Sequence, residues 1–493
     1  MQFTIEQEKI ISCDLAPGRA LKILAFAGTG KTTTLEAYTR QRPQLRFLYV
    51  AFNKSVQQEA QKRFPGNVTA KTSHALAFRA KGWPHKDRLV PGFKANQIMA
   101  ALDLKQIEDA RFAQDTLMRY LVSADPKVSR RHIPGGATEF YKENRLPAPD
   151  LVDLANRLGR LMCTGTHPDI GMLHDGYLKL FQLSAPALYF DCILLDEAQD
   201  INPVTADLIF SQLGRSKKIN EKVRHPAPSL ILVGDIHQQI YSFRGAGDSF
   251  KRFEADHTHA LTQSFRFDAN VARVANMVLT HFKKERRKLT GTPLPRKPAW
   301  DKACHTIIAR TNAGLFDKAI SLANRHRIGF SGGIEAIRLS RLTDVCHLFC
   351  GDASKVTDAF LRGFKDYTRV KAYARRVEDI EILAQCAMVE KYNFRLPGLI
   401  RGLRDKAVPE QEADILLTTA HRAKGMEWPC VLLMDDFTAL VKDGVPVAPS
   451  STVPDEFNLI YVAMTRARTH LRFARGSDIP DFIRHCLEKD KSQ

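Results

Sequence analysis

The stretch that most constrains this chain runs from Ala25 to Thr32 and reads Ala-Phe-Ala-Gly-Thr-Gly-Lys-Thr. An apolar run precedes this stretch. Residues 33–38 follow the stretch and have the pattern of the start of a helix. A strand, a glycine-bearing loop that ends in Gly-Lys-Thr and a helix together make a phosphate-binding P-loop. The usual first glycine is replaced by Ala25. For such a match taken alone, an ordinary glycine turn before a helix is the alternative reading.

Each part of the loop has an expected task. Lys31 supplies a positive charge for the β- and γ-phosphates, and the Thr32 hydroxyl can ligate Mg²⁺. Glycine lets backbone N–H groups approach a polyphosphate closely, and the phosphate lies at the positive end of the helix that follows. The predicted phosphate-binding residues are Ala27, Gly28, Thr29, Gly30, Lys31, Thr32 and Thr33.

Length and composition limit the class of protein. With 493 residues the chain is expected to form several domains, and 44% hydrophobic with 26% charged residues is typical of a soluble globular protein. No apolar stretch approaches about 18 residues and no signal-peptide pattern opens the chain, which favours the cytoplasm. The nine cysteines are scattered and odd in number, which suits reduced thiols.

The formal net charge of +19 suggests a polyanionic partner, with nucleic acid first and a membrane surface second. The positive charge is dispersed but denser at 283–288 and 362–376. Each cluster taken alone is more often a solvated surface than a binding site. The net charge of the whole chain is harder to explain as solvated surface alone.

The alternation of short apolar runs with helical periodicity predicts parallel sheets flanked by helices. The strand candidates are 21–25, 46–52, 68–72, 192–195 and 230–233, and then 306–309, 415–417 and 431–434. Helical periodicity dominates from about residue 79 to 165 and again at 351–410, where Lys, Arg and Tyr are frequent. We therefore predict an α/β fold with two cores and two smaller helical insertions.

The predicted boundaries follow from these changes in pattern. The first core comprises 1–80 and 166–262 and carries the helical insertion 81–165. The second core comprises 263–350 and 411–493 and carries the reduced helical insertion 351–410.

A second chemical motif follows the apolar run that ends at Leu195. Asp196 and Glu197 are adjacent carboxylates, and successive side chains at a strand end point differently, so the two acids can take separate roles. Asp196 would hold Mg²⁺, and Glu197 would orient and deprotonate an attacking water. A surface turn is the alternative for an isolated Asp-Glu pair, but the P-loop upstream favours the hydrolysis of a nucleoside triphosphate.

Residues 233–246 read Val-Gly-Asp-Ile-His-Gln-Gln-Ile-Tyr-Ser-Phe-Arg-Gly-Ala and follow another apolar run. Together with the P-loop and the stretch Asp196–Asp200, they make the chain resemble superfamily 1 DNA helicases of the UvrD/Rep/PcrA type. Within that group it is most similar to the F-box DNA helicase branch, without an F-box region. The resemblance spans nearly the whole chain and implies two RecA-like cores, with ATP and Mg²⁺ as cofactors.

The resemblance also implies how the nucleotide is held. Gln7 would read the adenine, and Phe265 would stack on it where the family often has tyrosine. Arg266 would reach the γ-phosphate, and Glu427 would bind the ribose.

Gln238 resembles the γ-phosphate sensor that links hydrolysis to DNA, and Arg466 resembles an arginine finger supplied by the second core. Without the family, Arg266 and Arg466 would each be read as surface arginines. The implied catalytic residues are Lys31, Glu197, Gln238, Arg266 and Arg466.

The implied DNA-binding residues are Phe52, Asn53, His74, Tyr241, Phe243, Arg244 and His421. Stacking of a base on an aromatic side chain contributes about 1–3 kcal/mol without sequence preference. Phe243 replaces the tryptophan common in the family, and the stretch around Phe52 is shorter than the usual pattern. Core packing is the alternative for each aromatic residue taken alone.

The function implied is that of an ATP-dependent helicase or translocase on single-stranded DNA, with tailed or forked duplexes as substrates and 3′-to-5′ polarity. Two alternatives stay open. One is a motor that strips proteins from single-stranded DNA with little unwinding. The other is a DNA-sensing ATPase that regulates a partner such as a nuclease or recombination protein. RNA is a less favoured track.

Overall fold

The computed structural model describes residues 2–143, 145–214, 217–220, 223–241, 248–293, 305–358, 360–364, 366–376, 379–450 and 453–491. Two predicted DNA-binding residues, Phe243 and Arg244, lie outside these ranges. By internal packing the chain divides into a first unit, Met1–Phe26 with Gly30–Leu261, and a second unit, Ala27–Thr29 with Thr262–Gln493.

The first unit alternates strands and helices, becomes mainly helical, and then returns to strands. Its elements are α1 (Ile5–Ile11), β1 (Ala20–Ala25), α2 (Lys31–Arg40), β2 (Phe47–Ala51), α3 (Lys54–Arg63), β3 (Val68–Thr72), α4 (Ser73–Ala77), β4 (Leu89–Val90), α5 (Ala95–Leu102), α6 (Ile107–Val122), α7 (Gly135–Glu143), α8 (Leu151–Thr164), β5 (Met172–Leu173), α9 (His174–Leu183), β6 (Cys192–Leu195), α10 (Pro203–Phe210), β7 (Lys217–Asn220), β8 (Val223–His225), β9 (Ser229–Gly234), α11 (Ser249–Arg252) and β10 (His257–Leu261). The strands predicted from apolar runs are confirmed.

The described strands of the first unit include a six-stranded parallel sheet in the order β10-β1-β9-β6-β2-β3. Strands β2, β6 and β9 are buried along their whole length, as expected when helices cover both faces of a parallel sheet. In such sheets ligands bind beyond the carboxyl ends of the strands. The P-loop follows β1 and Asp196 follows β6, so both predicted motifs lie at that edge.

The helical part of the first unit shares its hydrophobic core with the sheet. Leu117 of α6 and Leu158 of α8 belong to the same buried cluster as Ile193 of β6 and Leu232 of β9. The helices predicted between residues 81 and 165 are confirmed. The exact domain boundaries stay predictions.

The second unit begins with short strands and a long helix, and then forms its own sheet. Its elements are β11 (Gln263–Ser264), α12 (Ala269–Lys283), β12 (Thr290–Gly291), β13 (His305–Ala309), α13 (Asn312–Leu322), β14 (Ile328–Phe330), α14 (Leu339–Phe349), α15 (Tyr367–Arg376), α16 (Ile380–Tyr392), α17 (Leu396–Lys406), β15 (Ile415–Thr419), α18 (Ala420–Ala423), β16 (Trp428–Leu433), β17 (Val441–Lys442), β18 (Val445–Pro446), α19 (Pro454–Met464), β19 (Ala467–Phe473) and α20 (Ile479–Lys491).

The main sheet of the second unit is parallel, and its described strands have the order β14-β15-β13-β16-β19. Val370 of α15, Ile382 of α16 and Leu403 of α17 belong to one buried cluster with Ile307 of β13 and Leu417 of β15. The predicted α/β class with parallel sheets flanked by helices is therefore confirmed. Within the described ranges, no helix has both the length and the hydropathy that a membrane span requires.

Candidate functional site

The loop between β1 and α2 has the backbone geometry of an anion cradle. Gly28 and Gly30 adopt φ values of 72° and 76°, in the left-handed region that favours glycine. Gly30 caps α2, which begins at Lys31, so the N–H groups of the first helical turn have no partner within the helix itself. This arrangement suits a phosphate group at the end of β1.

The predicted phosphate-binding lysine is paired with the predicted base. Lys31 Nζ lies 2.7 Å from Glu197 Oε1. Burial alone would lower the pKa of Lys31, but the nearby carboxylates of Glu197 and Asp196 hold that pKa above its ordinary value. The lysine is therefore held in its charged form at the position where phosphate charge is expected.

The residues predicted to hold Mg²⁺ fit a small hard cation. Thr32 Oγ1 lies 3.5 Å from Asp196 Oδ2, so two oxygen ligands face each other. Mg²⁺ in phosphate sites takes one or two carboxylates and completes its shell with phosphate oxygens and waters. Burial raises the pKa of Asp196, and the negative charge of Glu197 raises it further. A bound cation would relieve both effects.

Tyr49 contacts the predicted Mg²⁺ ligand Asp196, and the sequence analysis did not single it out. Its hydroxyl donates a hydrogen bond to Asp196 Oδ2 at 2.6 Å, which fixes the orientation of that carboxylate. Burial raises the pKa of Tyr49 well above its ordinary value, and Asp196 adds to the shift. The sequence does contain an indication of this contact, since Tyr49 lies inside an otherwise apolar strand and a buried phenol needs a hydrogen-bond partner.

Gln199 is the second missed residue, and it connects the two predicted catalytic loops. Its Nε2 donates to Glu197 Oε2 at 2.6 Å, and its Oε1 accepts from the backbone N–H of Asp235 at 3.0 Å. Gln238 Nε2 in turn donates to Asp235 Oδ2 at 2.7 Å. A continuous chain of hydrogen bonds therefore runs from Glu197 to Gln238, the predicted γ-phosphate sensor.

Gln7 is buried beside the helix that follows the P-loop. Its Nε2 donates to Thr34 Oγ1 at 3.3 Å, and the Thr34 hydroxyl donates to Gly30 O at 2.9 Å. The Gln7 Oε1 atom accepts from Thr4 N, which closes a capping box at the start of α1. The structure thus connects Gln7 to the P-loop, while its adenine-reading role stays a prediction.

Three of the predicted DNA-binding residues lie around one cavity of the first unit. The cavity has a volume of about 930 Å³, and Phe52, His74 and Tyr241 line it together with Asp196. The rings of Phe52 and Tyr241 are stacked, with centroids 6.1 Å apart and planes at 13°. His74 Nε2 lies 3.0 Å from Asp175 Oδ1. The structure therefore brings the predicted base-stacking residues and the predicted Mg²⁺ ligand to one cavity.

Asn53, which follows Phe52 in the chain, is the N-cap residue of helix α3. Its Oδ1 accepts a hydrogen bond from Val56 N at 2.9 Å and so caps helix α3. Its predicted contact with DNA stays a prediction.

In the second unit, two arginines contact Glu427, the predicted ribose ligand. Arg266 Nε donates to Glu427 Oε2 at 2.8 Å, and Arg468 Nε lies 3.7 Å from the other oxygen of the same carboxylate. Phe265 is 42% exposed, and its backbone N–H donates to Gly28 O at 2.8 Å. The predicted adenine-stacking ring is therefore accessible, and its backbone is tied to the P-loop residue that this unit contains.

Arg466 is fully buried, which the sequence did not lead us to expect of a predicted arginine finger. Its guanidinium donates to Val462 O at 2.8 Å, to Met426 O at 3.1 Å and to Thr465 Oγ1 at 3.1 Å. In this conformation the side chain joins the start of β16 to the end of α19. Contact with a phosphate requires it to exchange these carbonyl partners.

The remaining predicted residue of this unit, His421, is half-buried in α18 at the carboxyl end of β15. On α19, the Tyr461 hydroxyl accepts a hydrogen bond from Ala27 N at 3.1 Å. That contact ties the backbone of a second P-loop residue to the helix that precedes Arg466.

Comparison with protein families gives two matches. Residues 7–244 match the model of an AAA domain, and residues 414–474 match the model of a UvrD-like helicase C-terminal domain. The first range contains the P-loop and the Asp196–Glu197 pair, and the second contains Glu427 and Arg466.

Individual relatives are similar over most of this chain. F-box DNA helicase 1 of Gallus gallus is 34% identical over 513 residues, which cover 97% of this chain and 49% of the relative. F-box DNA helicase protein 1 of Schizosaccharomyces pombe is 31% identical over 520 residues, or 95% and 57% of the two chains. ATP-dependent DNA helicase UvrD2 of Mycobacterium tuberculosis is 25% identical over 57% of this chain and 47% of its own length. The chain thus spans about half the length of these relatives.

Proposed function

The chain belongs to the UvrD-like helicases of superfamily 1, and from this membership we propose that it is an ATP-driven motor on single-stranded DNA. The observation that carries the proposal is the arrangement at the sheet edge of the first unit. Lys31, Glu197 and Gln238 are joined by one hydrogen-bonded network, and Asp196 shares a cavity with the Phe52–Tyr241 stack.

The proposed hydrolysis step begins with an exchange of partners at Lys31. Phosphate oxygens replace Glu197 as the partner of the ammonium group, which leaves the Glu197 carboxylate to orient a water molecule. Glu197 then accepts a proton of that water as the water oxygen bonds to the γ-phosphorus. The bond from the γ-phosphorus to the bridging β–γ oxygen breaks in the same displacement, so ADP leaves with that electron pair and inorganic phosphate is released. Mg²⁺, held by Thr32 and Asp196 when bound, supplies neutralisation of the phosphate charge.

Two arginines complete the proposed site. Arg266 would leave Glu427 for the γ-phosphate, and Glu427 would then be available to a ribose hydroxyl. Arg466 would act as the arginine finger, a role that typically contributes about 10³ to 10⁵ in rate. Both steps exchange one charge-assisted partner for another, so neither leaves a guanidinium without a hydrogen-bond acceptor.

Coupling to DNA would run through the Gln199 bridge. Gln238 senses the γ-phosphate, and Tyr241, which follows it closely in sequence, stacks with Phe52 in the described conformation. A base of the strand would compete for these ring faces, so strand binding and the state of the γ-phosphate would act on the same loop. We propose 3′-to-5′ movement on the strength of the family resemblance of residues 233–246.

Stopped-flow translocation on end-labelled oligothymidylate tests the motor directly. The proposal predicts a lag before dissociation that grows linearly with oligonucleotide length in the presence of ATP. Tailed duplexes of both polarities then report direction, with unwinding expected only from a 3′ tail. A lag that does not change with length would overturn the motor.

The second candidate function, stripping proteins from single-stranded DNA, is favoured by one observation. Helices α15, α16 and α17 share the hydrophobic core of the second sheet. We infer that this packing ties the region to the second core, so that it would contribute less to the separation of a duplex than an independently moving insertion would. Displacement of a filament-forming protein from oligothymidylate, compared with unwinding of a forked duplex, separates the two functions. A DNA-sensing regulatory ATPase would show neither activity.

A further inference from the structure

The second unit contains a groove that the proposed motor cycle does not use. It has a volume of about 720 Å³ and lies between helix α12, helix α20 and the segment Lys288–Gly291. We call it the basic groove. Its described lining residues include none of those assigned above to nucleotide or DNA, such as Phe265, Arg266 and His421.

The rim of the basic groove is cationic on every side. Arg273 of α12, Lys288 and Lys489 of α20 are exposed and line it, and His281 lines it as a half-buried side chain. Among the lining residues that the structure describes, none is acidic. Three separate elements thus direct positive charge towards one concave surface, and this includes part of the charge cluster noted in the sequence at 283–288.

The floor of the groove is apolar and firmly built. It is formed by Ala272 and Met277 of α12, by Leu289 and by Leu487 of α20. Asn276 ties the two sides together, because its Nδ2 donates to Leu289 O at 2.8 Å and its Oδ1 accepts from Leu289 N at 2.9 Å. Two hydrogen bonds from one side chain to the backbone therefore hold helix α12 against the segment Lys288–Gly291.

We propose that the basic groove binds a segment of a partner protein in which acidic and apolar side chains alternate. An apolar floor with a cationic rim is complementary to such a segment, because burial of its apolar side chains and pairing of its carboxylates occur together. The proposal goes beyond the motor function, since nothing in the hydrolysis or translocation steps requires an occupant here.

A DNA strand matches this surface less well. Non-specific binding of single strands combines cations with aromatic platforms on which bases stack. In the described part of the groove no Phe, Tyr or Trp side chain is present, and the apolar floor would face a solvated sugar–phosphate backbone. The cavity lined by Phe52 and Tyr241 has the aromatic platform that the groove lacks.

The test is fluorescence anisotropy with the full chain and a short fluorescein-labelled peptide in which Asp and Leu alternate. A second peptide, in which Asp and Ser alternate, carries the same charge without apolar side chains. We expect saturable binding of the first peptide and binding of the second that is weaker by about tenfold or more, since the apolar floor contributes only to the first.

Charge reversal locates the site. Arg273→Glu and Lys288→Glu should each weaken binding of the Asp–Leu peptide about tenfold, and Lys489→Glu should do the same from the opposite side of the groove. Leu487→Ser should lower affinity without a change in charge. The matched control is Arg401→Glu, which makes the same reversal at an exposed position of α17 outside the groove.

Three results would overturn the proposal. The first is equal binding of both peptides, and the second is an affinity for the Asp–Leu peptide that is the same in the groove variants as in Arg401→Glu. The third is displacement of the peptide by oligothymidylate, together with weaker binding of oligothymidylate by the groove variants than by the unsubstituted chain. The last result would assign the groove to DNA. Because anisotropy needs no ATP turnover, failure of the motor proposal leaves this test intact.

Discussion

The two units hold their predicted catalytic side chains in different ways. In the first unit these side chains are partners of one another, from Lys31 through Glu197 and Gln199 to Gln238. In the second unit Arg466 is bonded to backbone carbonyls and a threonine hydroxyl of its own surroundings. The network of the first unit therefore includes the opposite charges of Lys31 and Glu197, whereas these three acceptors for Arg466 in the second unit are uncharged.

Because of this difference, we expect substitutions in the two units to have different effects. A substitution in the first unit removes one member of a hydrogen-bonded network, so we expect a large loss of ATP turnover. Changes in the second unit remove both a structural bond and a proposed transition-state contact, so turnover and stability should be affected together.

The largest effect is expected for Lys31→Ala. The substitution removes the charge opposite the phosphates, and we expect no ATP turnover above background, with binding of oligothymidylate retained. Phosphate release and anisotropy measure the two quantities. Lys62→Ala, at an exposed position of α3, is the matched control and should behave as the unsubstituted chain. Equal turnover in Lys31→Ala would refute the site.

Arg466→Ala should lower kcat by about 10³-fold, near the lower end for an arginine finger, with a much smaller change in nucleotide affinity. Because the side chain is fully buried, a lowered Tm is also expected. Arg466→Lys keeps the charge, loses the planar guanidinium, and should recover stability better than turnover. A loss of nucleotide affinity with kcat unchanged would contradict the finger role.

Gln199→Leu should lower kcat by about 10²-fold, because Glu197 loses the donor that orients its carboxylate. Gln199→Glu, similar in size, places a second negative charge against Glu197 and should be at least as harmful. ATPase rates with and without oligothymidylate distinguish a bridge from a packing residue. A bridge lowers the ratio of stimulated to basal rate, and an unchanged ratio would remove Gln199 from the coupling path.

Tyr241→Ala should raise the oligothymidylate concentration needed for half-maximal ATPase stimulation by about tenfold, consistent with the loss of one base-stacking platform. Tyr241→Phe keeps the ring and should be nearly normal. If Tyr241→Ala leaves the oligothymidylate concentration for half-maximal stimulation unchanged, stacking at the Phe52–Tyr241 pair is not part of strand binding.

The smallest effect is expected for Tyr49→Phe, which removes one hydrogen bond to a carboxylate, worth about 1.5–3 kcal/mol when buried. A less firmly oriented Asp196 should increase the Mg²⁺ concentration required for half-maximal ATPase activity several-fold. High Mg²⁺ should restore kcat. A fall in kcat that Mg²⁺ cannot restore would show that the tyrosine acts on something other than the predicted metal ligand.

Much of the first unit follows from local sequence, and the reason is physical. Buried parallel strands appear as short apolar runs, and the residues after β1 and β6 must lie at one sheet edge. The partners of those residues depend on contacts between distant positions. Tyr49 reaches Asp196 across 147 positions, and Arg266 reaches Glu427 across 161, so no local pattern records either pair.

The burial of Arg466 illustrates the same limit. A motif match predicts the role of a side chain but not its partners, and here these are the carbonyls of Met426 and Val462. Gln199 was within reach of sequence reasoning, because a glutamine beside two acids at a buried strand end needs hydrogen-bond partners.

We propose that one network in the first unit joins ATP hydrolysis to single-stranded DNA. The most direct test is the steady-state rate of phosphate release by the intact chain with and without oligothymidylate, at saturating ATP and Mg²⁺. We expect a low basal rate and a large increase with DNA, and we expect Lys31→Ala to abolish both rates. A substantial rate that is identical with and without DNA would contradict this proposal.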